Sequence, residues 1–337
     1  MMLPRDADPP LWKNCQFFQP RPTRRRSRMI VEIEPTDFDE LAAAQNGWDT
    51  RYRPLKREGF NGRIISLRTN AIQIDIEQFD TPMEIAGAAP ATGLSCVVPF
   101  PHSNAYASCG EAVTSTHIDV FGAGHEVFAV TPKQTHWLCI SIFGSFFEHQ
   151  SGSHLMPTLP KQQYNHAILR SDPNALERLR NRCLAAIRLY RQGMLGGDAK
   201  KQVFHEIAMQ TSHALTGSTQ APGKRRGQQY RLARSIRDYI LNRMSDPPTI
   251  LEICAALDVP ERTLHRAFVG VYGVAPKQFL KAQRLLAVRQ ALQEPRQSQS
   301  VMDAALHFGF YEFGYFARDY KAMFGELPST TLHNYRR

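Results

Sequence analysis

The segment "RTLHRAFVGVYGVAP" at residues 262–276 has a near copy, "GYFARDYKAMFGELP", at residues 314–328. In each copy an arginine stands two residues before an aromatic residue, and the segment ends in aromatic-Gly-x-x-Pro. A glycine followed closely by a proline is typical of a place where one helix ends and another begins. The repeat therefore predicts two helices of the same design, each followed by a glycine stop.

The residues before each copy predict a partner helix. Thr249 and Glu252 form a T-x-x-E pair, and Ser300 and Asp303 form a similar S-x-x-D pair. Such pairs stabilise helix N-termini, so a short helix is expected to begin at Ile250 and another just after the second pair. Two short helices joined by a tight turn, the second with a basic outer face, form a helix-turn-helix unit. The sequence thus predicts this unit twice.

The second helix of each unit is amphipathic. Its large apolar residues are expected to face inwards, Leu264 and Phe268 in the first unit and Phe316 and Tyr320 in the second. The residues expected to face outwards are Arg262, His265 and Arg266 in the first unit and Ala317, Arg318 and Lys321 in the second.

The segment 276–293 between the units has apolar residues on more than one helical face. We expect it to be a helix held between both units, and so a stiff spacer. Two recognition helices on a stiff spacer can enter successive major grooves if they lie about 34 Å apart. A bundle of helices that happens to share glycine stops is the alternative, and the shared arginine phase argues against it.

Composition and charge fit a nucleic-acid-binding protein. The 337 residues are 42% hydrophobic and 21% charged, as in soluble globular proteins of two or three domains. The net charge of +10 is uneven, with +5 in residues 1–30, −3 in 31–223 and +8 in 224–337, which predicts that one end meets a polyanion. No apolar run approaches the roughly 18 residues of a membrane helix. The start lacks signal-peptide character, so a cytoplasmic protein is expected.

The N-terminal half predicts a different structure. Between Phe60 and Ile142, short segments rich in Val, Ile and Phe recur every 8–12 residues or so, the spacing of an antiparallel barrel or sandwich. A short helix is expected at 36–47. Two amphipathic helices are expected within 173–216, and a Gly/Ser/Pro/Lys linker follows.

The quoted segments resemble the C-terminal DNA-binding domain of the AraC/XylS transcription regulators. The shared elements are "RTLHRAF" with its downstream glycine and proline, and "AALHFGF" followed by "YFARDYKAMFGELPS". The resemblance covers 228–337. Within that family, "GFYEFGYFARDYKAMFGELPSTTLH" is similar to the ethanolamine-utilisation regulator and its relatives.

The resemblance implies an α+β multidomain protein that binds double-stranded DNA, a small-molecule effector and RNA polymerase, forms a homodimer and activates transcription. Ethanolamine with a cobalamin is the effector that the nearest resemblance implies. The domains are then a basic disordered arm (1–34), a cupin-like antiparallel β-barrel sensor (35–170), a helical dimerisation segment (171–216), a linker (217–228) and an all-α double helix-turn-helix domain (229–337).

Two positions depart from the family pattern. Pro260 replaces the serine that usually caps the first recognition helix, so a side-chain cap is expected to be missing. Phe313 and Gly314 replace a polar pair that often faces bases in the second unit. Phe313 is kept as a candidate contact because its ring suits a thymine methyl group, although a packing role is equally expected. Arg318 is expected to meet a phosphate.

The β-rich half contains candidates for effector binding but none for catalysis. Phe100, Tyr106, Phe128 and Trp137 are candidate pocket residues. Its histidines do not supply the H-x-H pair of a cupin metal site, and the six cysteines are scattered without C-x-x-C, so neither a metal nor a disulfide frame is expected. Two other functions stay open: a cupin-type metalloenzyme fused to a DNA-binding module, and an effector-independent protein that bends DNA.

Overall fold

A computed structural model describes most of the chain. The described residues are 29–35, 38, 40, 41, 47–144, 166–220, 227–244, 246–293 and 300–336. Most of the predicted basic arm, and most of the short helix predicted at 36–47, lie outside them.

Thirteen strands lie in the described residues of the N-terminal half. The segments rich in Val, Ile and Phe that the sequence predicts as strands between Phe60 and Ile142 are strands. The bounds are β1 (Ile30–Ile33), β2 (Asp49–Pro54), β3 (Gly62–Arg68), β4 (Ile72–Phe79), β5 (Met83–Ala88), β6 (Leu94–Pro99), β7 (Tyr106–Ser108), β8 (Glu111–Val113), β9 (His117–Gly122), β10 (Glu126–Thr131), β11 (Thr135–Ile142), β12 (His166–Arg170) and β13 (Thr219–Gln220).

The strands form two antiparallel sheets. The first, which we call sheet A, has the order β1-β3-β4-β11-β6-β9-β12-β13, and the second, sheet B, has the order β2-β5-β10-β7-β8. Both sheets have free ends and pack face to face, as in the sandwich that the strand spacing allows. The cupin-like barrel that the resemblance implies is not closed in this structure.

Two domain boundaries predicted from sequence are corrected by the strands at either end of sheet A. Strand β1 pairs with β3 from Ile30↔Leu67 to Ile33↔Ile64, so the predicted arm cannot extend to residue 34. Strand β13 pairs with β12, so the predicted linker 217–228 begins with residues of the sheet.

Alternate residues along the strands of sheet A pack in two different hydrophobic cores, one on each face of the sheet. On β4, Ile72, Ile74 and Ile76 pack with the helices that follow the sheet, whereas Phe79 packs towards sheet B. The helices are α1 (Pro173–Arg191) and α2 (Gly197–Thr216).

The predicted stripe on α1 is buried on sheet A. Leu176, Leu179 and Cys183 are fully buried, in one core with strand residues such as Ile74 and Val120. The Asp172 carboxylate caps α1 by accepting from the backbone N–H groups of the next turn. The apolar face of α1 is therefore covered by the chain's own sheet.

Seven helices follow in the described C-terminal residues. They are α3 (Gln228–Leu241), α4 (Ile250–Leu257), α5 (Glu261–Tyr272), α6 (Pro276–Gln293), α7 (Val301–His307), α8 (Phe313–Phe324) and α9 (Pro328–Tyr335). Helix α6 contributes Phe279 and Leu280 to the core around α3–α5, and Leu285 and Val288 to the core around α7–α9. This shared helix is the spacer that the sequence predicts.

The outer face of sheet B packs on α3 and α5. Phe128 of β10 contacts the rings of Tyr230 and Tyr272, with centroids 5.9 Å and 6.2 Å away. Beside it, the Arg237 guanidinium donates to both oxygens of the fully buried Glu84, at 3.0 Å and 2.7 Å. We call this contact the interdomain interface. Its pairs join residues more than 100 positions apart.

Candidate nucleic-acid interface and cavity

The two helix-turn-helix units have the same local construction. Both predicted capping boxes are present: Thr249 Oγ1 accepts from the Glu252 N–H at 3.2 Å, and Ser300 Oγ accepts from the Asp303 N–H at 3.1 Å. The first helix of each unit therefore begins where the sequence predicts.

The turns and stops of the two units also correspond. Asp258 and Gly309, 51 positions apart, each hold a left-handed backbone at the turn, with φ of 51° and 76°. Gly273 and Gly325, 52 positions apart, do the same after the recognition helices α5 and α8. The second unit thus has one more residue between its left-handed turn residue and its stop glycine. No side chain caps α5 at Pro260, as the sequence predicts.

The outward face of α5 is solvent-exposed. Arg262, His265 and Arg266 are all exposed, while Leu264 and Phe268 on the opposite face are fully buried. Had the two arginines been buried against protein, the helix could not have presented them to another molecule. The geometry leaves three basic side chains free to contact DNA.

The outward face of α8 is more aromatic than that of α5. Phe313, Arg318 and Lys321 are exposed, while Ala317 is half-buried. The Arg318 guanidinium lies 4.8 Å from the centroid of the Tyr315 ring, which is 58% exposed and which the sequence reasoning missed. Ring and guanidinium form one exposed cationic surface.

Spacer helix α6 fastens the second unit through one arginine. Arg284 Nε donates to the Phe308 carbonyl at 2.6 Å, its Nη2 donates to the Gly309 carbonyl, and its guanidinium stacks 4.5 Å from the Phe310 ring. These carbonyls belong to the turn between α7 and α8. The turn that aims the recognition helix is therefore tied to the spacer.

Asp319 is a second fastening point, and nothing in the sequence pattern indicates it. Its buried carboxylate pairs with Lys281 of the spacer and with Arg57, which follows β2 in the N-terminal half. Arg57 lies 262 positions away, so no local pattern could have revealed the pair.

Comparison with known proteins supports the interpretation of the C-terminal region. Residues 253–334 match the family model described as "Helix-turn-helix domain". The "XylDLEGF operon transcriptional activator 1" of Pseudomonas putida is 39% identical over 72 residues, which cover 21% of this chain and 22% of that protein. The "Probable thc operon regulatory protein" of Rhodococcus erythropolis is 30% identical over 102 residues, or 30% of this chain and 31% of that protein. The chain thus matches about a fifth to a third of the length of these curated relatives.

One solved structure carries the family name. It is a probable AraC family transcriptional regulator from Rhodopseudomonas palustris, 36% identical, with 32% of this chain matched to 99% of that chain at a TM-score of 0.30. The C-terminal domain belongs to the AraC family. The AraC-type domain thus consists of two helix-turn-helix units on one spacer helix, docked on sheet B.

Between the two sheets lies a cavity that the sequence predicted only in part. Of the four candidate residues, Tyr106 and Trp137 line it. The described residues of its wall are Trp48, Thr50, Tyr52, Glu77, Ile85, Val97, Tyr106, Asp119, Phe121, Val127, Ala129, Trp137 and Cys139.

The other two candidates lie elsewhere. Phe128 lies on β10 between Val127 and Ala129, so strand alternation turns its ring away from the cavity and towards the AraC-type domain. Phe100 packs in the core beneath the helices and stacks on His136 with centroids 4.0 Å apart.

Asp119 is a buried polar group of the cavity wall with two side-chain partners. Its carboxylate accepts from the Tyr106 hydroxyl at 2.8 Å and pairs with His166 Nε2 at 2.8 Å. Burial lowers the pKa of His166, but the hydrogen bond and charge of Asp119 more than compensate and raise that pKa to about 10. Asp119 and His166 therefore form a hydrogen-bonded pair beside the cavity.

No group of three or more His, Cys, Asp or Glu side chains suited to a metal ion occurs among the residues that the structure describes. None of the described helices combines the length and apolarity that a bilayer span requires.

Proposed function

We propose that the protein is a sequence-specific DNA-binding regulator of transcription, controlled by a small molecule held between its two sheets. The observation that carries the proposal is the pair of recognition helices, built alike and each exposing basic side chains. An exposed basic helix after a tight turn is suited to the major groove. The alternative, a DNA-bending protein without an effector, gives no functional reason for the cavity.

The two units have different roles in this proposal. Arg262, His265 and Arg266 read base edges, because long donors on the outer face of a recognition helix reach guanine O6 and N7. Arg318 and Lys321 contact phosphates. Phe313 and Ala317 form the apolar part of the second contact surface, where a thymine methyl group fits.

Sheet B is the proposed connection between effector and DNA. Residues of one face of β10, Val127 and Ala129, line the cavity, while Phe128 on the other face packs on α3 and α5. On β5, Ile85 lines the cavity and Glu84 binds Arg237. Because one strand cannot shift one face alone, a ligand that moves these strands also moves the interdomain interface.

The more specific parts of the proposal rest on the resemblance to the AraC/XylS regulators. The regulator acts as an activator in contact with RNA polymerase, in the cytoplasm and as a homodimer, and serves an operon for an ethanolamine-like or other catabolic substrate. The cavity limits the size of the effector, since its volume is about 40 Å³. That space suits a few non-hydrogen atoms and excludes a cobalamin.

Selection of bound fragments from random DNA by the full chain tests the proposal. A recovered motif with two half-sites, protected in a footprint, is the expected result. Recovery of unrelated sequences with uniform affinity would leave a sequence-indifferent, architectural DNA-binding protein in place of the regulator.

A further inference from the structure

We propose that the second helix-turn-helix unit binds DNA by stacking exposed aromatic rings on the bases of an easily unstacked base step, that is, between two adjacent base pairs. The inference rests on the proposed function, and it names the class of DNA site that the second unit selects.

The first reason is a cluster of exposed aromatic side chains at the start of α8. Tyr311 in the preceding turn is 76% exposed, and Phe313 and Tyr315 in the first turn of the helix are 36% and 58% exposed. Recognition helix α5 differs, because both of its aromatic residues, Phe268 and Tyr272, are buried. A group of large rings that the fold leaves exposed indicates a partner with apolar surface.

The second reason is the positive charge beside these rings. The Arg318 guanidinium lies 4.8 Å from the centroid of the Tyr315 ring, and Lys321 is exposed on the same helix. Cations on one surface attract a polyanion, and nucleic acid combines that charge with the flat apolar faces of its bases. The rings and cations together therefore favour DNA over an apolar protein surface as the partner.

The third reason is that Tyr315 stands between two surface clefts. The first cleft has a volume of about 420 Å³, and its wall includes Tyr315 together with Lys277 and Lys281 of the spacer. The second has a volume of about 550 Å³ and is lined by Glu312, Phe313, Gly314, Tyr315 and Arg318. A Cβ atom at Gly314 would point into open space, so the backbone between the two rings leaves the second cleft open. A ring in this position can enter a base step while the clefts receive the nucleotides on either side.

The fourth reason is that α8 offers little to the edges of bases. Its first five residues, 313–317, are Phe-Gly-Tyr-Phe-Ala, which contain none of the Arg, Lys, Asn or Gln side chains that make paired contacts with base edges. Arg318, the first such residue, lies against the Tyr315 ring. Sequence preference in this unit then comes from the cost of deforming the DNA, which is lowest at pyrimidine–purine steps. Stacking on the rings offsets the cost of unstacking the bases.

Affinity for duplexes with a single mismatched base pair tests the proposal. The full chain first selects its site from random DNA, and the half-site whose preference survives in Arg266→Ala belongs to the second unit. That half-site should contain a TA, CA or TG step. A mismatch at the step lowers the cost of unstacking, so wild-type affinity should rise at least about threefold. A mismatch in the other half-site should lower the affinity, because contacts with base edges are lost.

Three variants assign the effect to the rings. Tyr315→Ala should bind the matched site at least about fivefold more weakly and gain nothing from the mismatch. Phe313→Ala is a second variant, with the same direction expected for both effects. Tyr335→Ala removes a ring that is 51% exposed on α9, outside both clefts, and should behave as wild type. A wild-type thermal midpoint shows that each variant is folded.

Two results would overturn the proposal. One is a mismatch at the step that leaves wild-type affinity unchanged or lowers it. The other is wild-type DNA binding by both Tyr315→Ala and Phe313→Ala. If those two proteins also fail to activate a reporter gene, the rings belong to a surface for a protein partner.

Failure of the regulator proposal gives a different result. If the full chain selects no motif from random DNA, that proposal is refuted. The rings are then tested on a duplex of arbitrary sequence with and without one mismatch. Wild-type protein should prefer the mismatched duplex and Tyr315→Ala should not, and equal affinities for wild type would overturn the stacking proposal as well.

Discussion

Removing the charge of Glu84 should weaken the interdomain interface between the AraC-type domain and sheet B. Glu84 is fully buried and accepts two hydrogen bonds from Arg237 and one from Arg53 at 3.2 Å, and both arginine side chains are less than one-fifth exposed. Burial lowers the pKa of Arg237, but the hydrogen bonds and charge of Glu84 raise it above the ordinary value. Glu84→Gln leaves two guanidinium groups in a buried site, which costs about 3–5 kcal/mol in comparable pairs.

A double-mutant cycle isolates the interdomain part of that cost. Urea unfolding of the full chain with Glu84→Gln, Arg237→Gln and both changes should give a coupling energy of at least about 1.5 kcal/mol. The matched control is Glu126 with Arg234, an interdomain pair at 2.7 Å whose glutamate is more than half exposed, for which we expect about 0–1 kcal/mol. Coupling energies that agree within about 0.4 kcal/mol would refute the reasoning.

Three further changes test other parts of the structure. Arg266→Ala should weaken binding to the selected site by about 1–3 kcal/mol and change nonspecific binding little, whereas equal losses in a gel-shift titration would remove Arg266 from the base-reading set. Arg284→Met should destabilise α7 and α8 by about 1.5–3 kcal/mol, which would be measured as faster amide hydrogen exchange in these helices. Lys277→Met, at an exposed position of the same helix, is the control. Unchanged exchange in Arg284→Met would contradict the role of Arg284 in holding the turn. Burial, and to a lesser extent the charge of His102, lowers the pKa of His136 to about 3. In the unfolded state this histidine is protonated below about pH 6.5, whereas in the folded state it stays neutral. Stability should therefore fall by about 2 kcal/mol between pH 7 and pH 5, and His136→Gln should abolish that part of the loss.

The double helix-turn-helix could be predicted from sequence because its signals are local. A capping pair, a turn residue and a stop glycine each lie within a few positions of the helix end that they determine. Thr249 predicts that α4 begins at Ile250, and Gly273 predicts the end of α5; the structure confirms both.

The arrangement of the β-rich N-terminal half depends on strand pairings that no local sequence pattern contains. Strand β2 has only Tyr52 as a large apolar residue between charged neighbours, so its sequence carries no strand signal of the kind seen at β4. The phase of β10 was equally hidden, because Val127 and Phe128 are both apolar and only the tertiary fold decides which faces the cavity. Glu77 and Trp48 were missed as cavity residues because only the tertiary fold places them in the cavity wall.

The interdomain pairs were beyond sequence reasoning altogether. Arg237 meets Glu84 across 153 positions, and Gln283 donates to the Pro54 carbonyl across 229. In a single sequence each of these residues has the same signature as a solvent-exposed polar side chain.

The central claim is that α6 holds the recognition helices α5 and α8 at a fixed separation. The spacing of the two half-sites in DNA tests this claim most directly. In the selected DNA site, five base pairs inserted between the half-sites turn one of them to the opposite face of the duplex. If α6 holds α5 and α8 at a fixed separation, the footprint should shrink to one half-site and affinity should fall by at least tenfold. Full protection of both half-sites at unchanged affinity would show that the two helices are not held by a rigid spacer.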